Sequence, residues 1–101
     1  VIDEACQSTE PANWVPLLRA NKVVLAGDHC QLPPTILSQE AAGRGLSVSL
    51  MERLVRQCGP DASRLLSVQH RMNAAIMAFS NAEFYDGQLV AHESVANHLL
   101  C

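Results

Sequence analysis

Basic side chains are scarce in this 101-residue sequence. Seven Lys and Arg stand against ten Asp and Glu, for a net charge of −3. That balance leaves no broad basic footprint, so any nucleic-acid surface within the chain is local. Long apolar runs are missing as well, and with them any segment of membrane-span length. No signal peptide is visible. The four cysteines, Cys6, Cys30, Cys58 and Cys101, are widely spaced and make no C-x-x-C pair. Zinc sites normally show such close pairs, so these read as reduced thiols. His92-Glu93 followed by His98 misses the H-E-x-x-H spacing, because Ala96 stands where the second histidine is needed. Six residues along a helix would turn the two rings ~240° apart, on different faces. Internal repeats and low-complexity tracts are also absent.

What is present is enough for a core. Hydrophobic residues make up 49% of the chain and charged ones 17%, which argues against disorder. The chain opens inside an apolar run without an initiator methionine and ends on His98-Leu99-Leu100-Cys101 without a stop signal. It is expected to be a piece of a longer protein.

One stretch organises the rest: Gly27-Asp28-His29-Cys30-Gln31-Leu32-Pro33-Pro34. It follows Lys22-Val23-Val24-Leu25-Ala26, which reads as a buried parallel strand. Gly27 permits a sharp turn and a close approach. Asp28, His29 and Gln31 then place polar groups at the strand mouth, and the two prolines stiffen the exit. Ligands in open α/β sheets bind beyond such strand ends. The stretch is therefore a candidate site, or an ordinary strand-to-loop turn.

A second strand mouth opens the chain. Val1-Ile2 are β-branched and apolar, and Asp3-Glu4 follow at once. Adjacent acids at a buried strand end are costly without a cation or partner. Ser8 or Thr9 can cap the next helix, with Glu10 and Pro11 suited to its first turn. Ala12, Val15 and Leu18 would pack on the sheet, and Trp14 reads as a packing residue. Strand, helix and strand within about 25 residues make a minimal βαβ crossover.

Further on, residues 38–42 suit a single helical turn that Gly43 and Gly45 break. Ser49 and Glu52 match a capping box. Leu46, Leu50, Met51, Leu54 and Val55 form an amphipathic stripe, stopped by Gly59-Pro60. Arg53 and Arg56 belong on its solvated face. Residues 64–68 read as a strand ending in a third polar mouth, Gln69-His70-Arg71-Met72. A helix from about Asn73 places Met72, Ile76 and Phe79 on one face. Tyr85-Asp86-Gly87-Gln88 is a turn with Gly87 left-handed. Residues 94–100 suit a short helix.

Together the three mouths resemble a family. Residues 1–5 look like motif II of superfamily 1 helicases. Residues 27–34 look like motif III in its G-D-x-x-Q-L-P-P form, and Gln69–Met72 like the Q-Y-R-M form of motif IV. Their order and spacing are specific as a set. They point to the branch of the nonsense-mediated-decay and immunoglobulin mu-binding (Smubp-type) helicases. Residues 45–54, Gly87-Gln88-Leu89 and residues 91–96 look most like the Smubp-type members.

The resemblance implies an α/β fold of tandem RecA-like (P-loop NTPase) domains with parallel sheets, present here in part. Residues 1–58 would be the C-terminal half of the first domain and residues 61–101 the start of the second. It implies an ATP-dependent enzyme moving 5′ to 3′ on single-stranded RNA or DNA, in the cytoplasm or nucleus, with no membrane partner. By the same resemblance Asp3 holds Mg²⁺, Glu4 acts on the attacking water, Gln31 senses the γ-phosphate and Arg71 reaches the γ-phosphate as a finger. ATP would then be bound through Asp3, Glu4, Gln31 and Arg71. Two features depart from the pattern. His70 replaces the commoner tyrosine, which calls into question any aromatic packing role at that place. No G-x-x-x-x-G-K-[ST] is present and Lys22 is the only lysine, so this segment alone is expected not to hydrolyse ATP. The alternative is a nucleic-acid-binding scaffold on a degenerate helicase fold; four intact site residues argue against it.

Overall fold

A computed structural model describes residues 1–99. The chain divides into two compact units, Val1–Ser63 and the residues from Arg64 onward.

In the first unit two extended segments run parallel, bridged at Ile2 and Leu25. Ile2 N–H donates to Val24 O at 2.9 Å, and Ala26 N–H returns to Ile2 O at 2.9 Å. Ala5 N–H then reaches Ala26 O at 2.9 Å, which zips the two mouths together. Regular strand pairing is confined to that bridge. Gly27 makes the close approach possible: a Cβ there would sit 3.1 Å from Ala5 N and 3.2 Å from Cys6 N.

Helix α1 spans Glu10–Leu17, with Thr9 at its N-cap. Pro16 lacks the N–H that would extend the ladder, and the helix stops one residue later. Its inward residue is Asn13, which accepts a hydrogen bond from Ser8 Oγ at 2.9 Å. Val15 is 70% exposed and Leu18 82%, so the face expected to pack on a sheet is turned outward. Trp14 is likewise half in solvent, its indole donating to Glu10 at 3.2 Å. The apolar residues of α1 were a misleading guide because a buried amide took the inward position.

Helix α2, Gln39–Ala41, begins where Ser38 Oγ accepts from Ala41 N–H at 3.2 Å. It runs into a wide π-type turn over Ala42–Leu46, so Gly43 does not break it; Gly45, at φ 102°, does. Helix α3, Leu50–Cys58, starts as expected, with Ser49 Oγ accepting from Glu52 N–H at 3.1 Å. Ser49 and Leu50 are buried, together with Ala5 and Cys6. A 3₁₀ turn at Gly59–Ala62 follows.

The second unit is built on a parallel pair, β1 (Val68–Gln69) and β2 (Val90–Ala91). Val68 pairs with Val90 and Gln69 with Ala91. The strand expected over residues 64–68 is thus confined to its far end, and β2 has no counterpart in the sequence reading. Between them lies helix α4, Ala74–Phe84, capped by Asn73, whose Oδ1 accepts from Ala75 N–H at 2.7 Å. Its buried residue is Met77; Ile76 and Phe79 point to solvent, against the face expected for them. Gly87, at φ 73°, closes the turn after α4 as expected. The Asn81 amide then donates to Leu89 O at 2.9 Å and accepts from Leu89 N–H at 2.8 Å, which delivers the chain into β2. Helix α5 occupies Glu93–Ala96 with His92 as its cap. Residue 100, expected at the end of that helix, lies outside the described residues.

Candidate functional site

The parallel bridge decides where the first polar groups go. Both segments leave it in the same direction, so Asp3-Glu4 and Asp28–Gln31 emerge at one edge. Asp3 Oδ1 accepts from Glu4 N–H at 2.9 Å, and both side chains are exposed. Glu4 has φ 50°, a left-handed backbone that a residue with a Cβ adopts at a cost. Its carboxylate accepts from Gln7 Nε2 at 3.0 Å.

Across the edge, Asp28 shapes the second loop. One carboxylate oxygen accepts from Cys30 N–H at 3.0 Å and the other from Gln31 Nε2 at 2.7 Å. The Gln31 side chain is therefore aimed by Asp28, and the residue is exposed. Asp28, His29 and Cys30 also bring one oxygen, one nitrogen and one sulfur donor within 4.8 Å of one another. That set suits a borderline-soft cation better than Mg²⁺, which takes oxygens. Consecutive ligands escape any search for spaced cysteine pairs.

Beneath this edge lies Cys6. Burial pushes its thiol pKa up, the Ser49 hydroxyl hydrogen bond partly offsets this, and the charges of Asp28, Glu52 and Glu4 add to the rise. One acid from each mouth, Glu4 and Asp28, thus bears on the buried Cys6 thiol. Among the described residues, Cys6, Cys30 and Cys58 take part in no disulfide.

Arg53 holds the first unit from the side. It is not on a merely solvated face: its Nε donates to Glu10 Oε2 at 2.8 Å and its second nitrogen to Glu10 Oε1 at 2.5 Å. This two-pronged bond joins α3 to α1 and holds the Glu10 carboxyl below the usual carboxylate range. Arg56 keeps to the surface, paired with Glu52 at 2.5 Å.

In the second unit Gln69, His70, Arg71 and Met72 line an open hollow. Gln69 Oε1 accepts from Arg71 N–H at 2.8 Å and from Met72 N–H at 2.7 Å. His70 stacks on His92, ring centroids 4.3 Å apart and tilted by 31°. An aromatic packing role at this place is thus kept by histidine. Arg71 is exposed, just ahead of the α4 N-terminus. Among the described residues its guanidinium makes no ion pair.

Two family profiles, each described as an AAA domain, match the chain: one over residues 1–39, the other over residues 46–101. The second alone covers more than half of it. The chain belongs to this AAA-domain family. Within it, the chain is a segment of the Smubp-type superfamily 1 helicase branch. The DNA-binding protein SMUBP-2 of Mesocricetus auratus is 56% identical over 100 residues, 99% of this chain and 10% of that protein. The DNA polymerase alpha-associated DNA helicase A of Schizosaccharomyces pombe is 44% identical over 100 residues, 99% of this chain and 14% of that protein. The DNA replication ATP-dependent helicase/nuclease DNA2 of Xenopus laevis is 46% identical over 98 residues, 96% of this chain and 9% of that protein. The chain thus spans about a tenth of the length of the curated SMUBP-2 relatives it matches.

For an AAA-domain segment the architecture is as expected in kind: small α/β units with parallel pairing. No helix among the described residues is long and apolar enough to cross a membrane.

Proposed function

We propose that this chain is a nucleotide-handling segment of an ATP-dependent helicase or translocase. It would move 5′ to 3′ on single-stranded RNA or DNA, on tandem RecA-like domains of which residues 1–58 and 61–101 are parts. One observation carries the reading. The parallel bridge at Ile2 and Leu25 sends the acid pair and the Gln31 loop out at one edge, where α/β sheets take their ligands. The names of the relatives, an ATP-dependent helicase/nuclease among them, support the same class.

Asp3 fits a magnesium role. Its carboxylate is exposed, and among the described residues one of its oxygens accepts from Glu4 N–H. Mg²⁺ keeps most of its waters and takes one or two carboxylates, so Asp3 would hold the ion through that water shell. The ion, once bound, would neutralise charge on the β- and γ-phosphates. Glu4, the next residue in the chain and left-handed in its backbone, takes the proton of the attacking water. Gln31 donates to a γ-phosphate oxygen by exchanging its bond to Asp28, so loss of the phosphate returns it to Asp28. Arg71 supplies the finger: its planar fork meets phosphate oxygens in pairs and stays charged at any working pH.

The test is ATP hydrolysis by a full-length helicase carrying this segment, with saturating single-stranded nucleic acid. Glu4→Gln fills the same space but cannot accept the proton. Hydrolysis should fall by about 10²–10⁴-fold, while equilibrium titration shows ATP still bound. Near-normal turnover would remove Glu4 from the role.

A further inference from the structure

The loop that presents Arg71 is short and has no ladder of its own, yet three hydrogen bonds from one side chain fix it. Gln69 Oε1 accepts from Arg71 N–H at 2.8 Å and from Met72 N–H at 2.7 Å. Gln69 Nε2 donates back to Met72 O at 2.7 Å. Three of the amide's four hydrogen-bonding capacities are thus spent on the two residues that follow His70. The amide stands in for a missing strand partner. It satisfies backbone groups that neither β1 nor α4 reaches.

Gln69 is itself held firmly. It lies in β1 opposite Ala91, and its carbonyl accepts from His92 N–H at 2.9 Å. Its side chain is half-buried. Rigidity therefore passes from the parallel pair through one amide to the Arg71 backbone. Fixing that backbone fixes the direction in which the Arg71 side chain leaves the loop.

We infer that Gln69 is a positioning residue, whose amide clamp holds Arg71 in the orientation needed to engage the γ-phosphate. The inference rests on the finger reading of Arg71 given above. It adds a cause for the finger's aim: pre-organisation by a neighbour that need not touch nucleotide. Reaction rates are sensitive to such aim, since a misplacement of ~1 Å can cost on the order of 10²-fold.

The experiment is a double-mutant cycle in the full-length helicase, reading kcat and KM for ATP with saturating single-stranded nucleic acid. Gln69→Met keeps the bulk of the side chain and removes all three bonds; Gln69→Ala removes bulk as well. Both should lower kcat by about 10–100-fold with KM changed less than about threefold. On an Arg71→Ala background neither should lower kcat by more than about twofold, because the aim of an absent finger cannot matter. Equal losses on both backgrounds overturn the inference, since Gln69 then acts apart from Arg71. Normal kcat in the Gln69 variants, with Arg71→Ala slow, overturns it too and leaves the finger intact. Normal kcat in Arg71→Ala overturns the finger reading itself. Amide hydrogen exchange gives a readout free of activity. The Arg71 and Met72 amides should exchange slowly in the unmodified protein and at least about tenfold faster in Gln69→Met. Exchange at open-loop rates in the unmodified protein would show that no clamp forms.

Discussion

The two units hold their polar groups by different means. In the first, Ala5, Cys6, Asn13, Pro34, Ser49 and Leu50 are buried, and the acid pair directly precedes Ala5 and Cys6 of that core. In the second, Met77 is the one residue among those described that is buried to this degree. Beside its parallel pair, side-chain amides hold it: Gln69 on the Arg71 loop, Asn81 on Leu89, and Asn73 on His98 O at 3.1 Å. An apolar backing resists change through volume, and an amide clasp through geometry. The first should tolerate polar substitution poorly at close approaches. The second should tolerate volume changes but fail when a single amide is lost.

The largest expected effect breaks the comparison on the function side. Arg71→Ala removes the one exposed cation at its loop without touching any packing. In the full-length helicase turnover should fall by about 10²–10³-fold, with a modest loss of ATP affinity. Arg71→Lys should not restore it, since a point charge lacks the fork. Steady-state hydrolysis beside nucleotide titration decides the matter; turnover equal to the unmodified protein would make Arg71 merely structural.

Next comes the apolar backing. Gly27→Ala places a Cβ 3.1 Å from Ala5 N and 3.2 Å from Cys6 N, with Met51 Sδ at 3.4 Å. Backbone nitrogens cannot swing away as a flexible side-chain end can. The two parallel segments must part by a few tenths of an ångström, at a cost of about 1–3 kcal/mol. The Ile2, Ala5 and Ala26 amides, which hold the bridge, should exchange faster. Unchanged protection would show that the bridge has slack.

The amide clasp answers with a smaller loss. Asn81→Ala removes both bonds to Leu89 and costs about 1–2 kcal/mol, for two half-exposed hydrogen bonds. Exchange should quicken at Leu89, Val90 and His92, which form the path into β2, and not at Met77. Uniform quickening across the unit would mean that Asn81 supports α4 rather than the strand.

Legibility differed between the units for the same physical reason. Helix starts were readable: Ser49 caps Glu52 N–H as its spacing indicated, and the helices expected from Ser38 and Asn73 begin there, each through a bond two or three positions on. Thr9 stands at the α1 N-cap but makes no side-chain cap bond. The polar strand mouths were readable because acids crowd against apolar runs. Faces of α1 and α4 were not. Asn13 and Met77 turn inward while Val15, Ile76 and Phe79 face solvent, and hydrophobicity alone ranks them the other way. Strand β2 was hidden since two residues carry no periodicity; what sets it is Asn81, eight positions before Leu89. The Glu10–Arg53 bond joins residues 43 positions apart, beyond any local rule.

That bond gives the smallest expected effect, and the one that best tests the first unit. Glu10 accepts both prongs of Arg53, with the Trp14 indole as a further donor. These hydrogen bonds favour the charged carboxylate, so the Glu10 pKa is lowered on folding, and that of Arg53 raised. A carboxyl whose pKa is depressed by folding binds protons more readily when unfolded. Its contribution is therefore fully present above the unfolded value, about 4.3 for glutamate. It fades as pH falls through the lower folded value, and is gone once both states are protonated. The pair lies at the surface, so solvent and salt screen it and the contribution is small. Titration of the Glu10 carboxyl by carbon NMR should show a depressed midpoint that returns toward about 4.3 in Arg53→Gln. Amide protection in α1 should likewise drop in Arg53→Gln near neutral pH, and the gap should close as acid protonates Glu10. Added salt should narrow it at neutral pH as well. If protection in α1 is identical with and without Arg53 at neutral pH, the apolar backing alone holds α1 against α3. The first unit would then have no polar clasp between its two main helices, and the contrast with the second would be sharper.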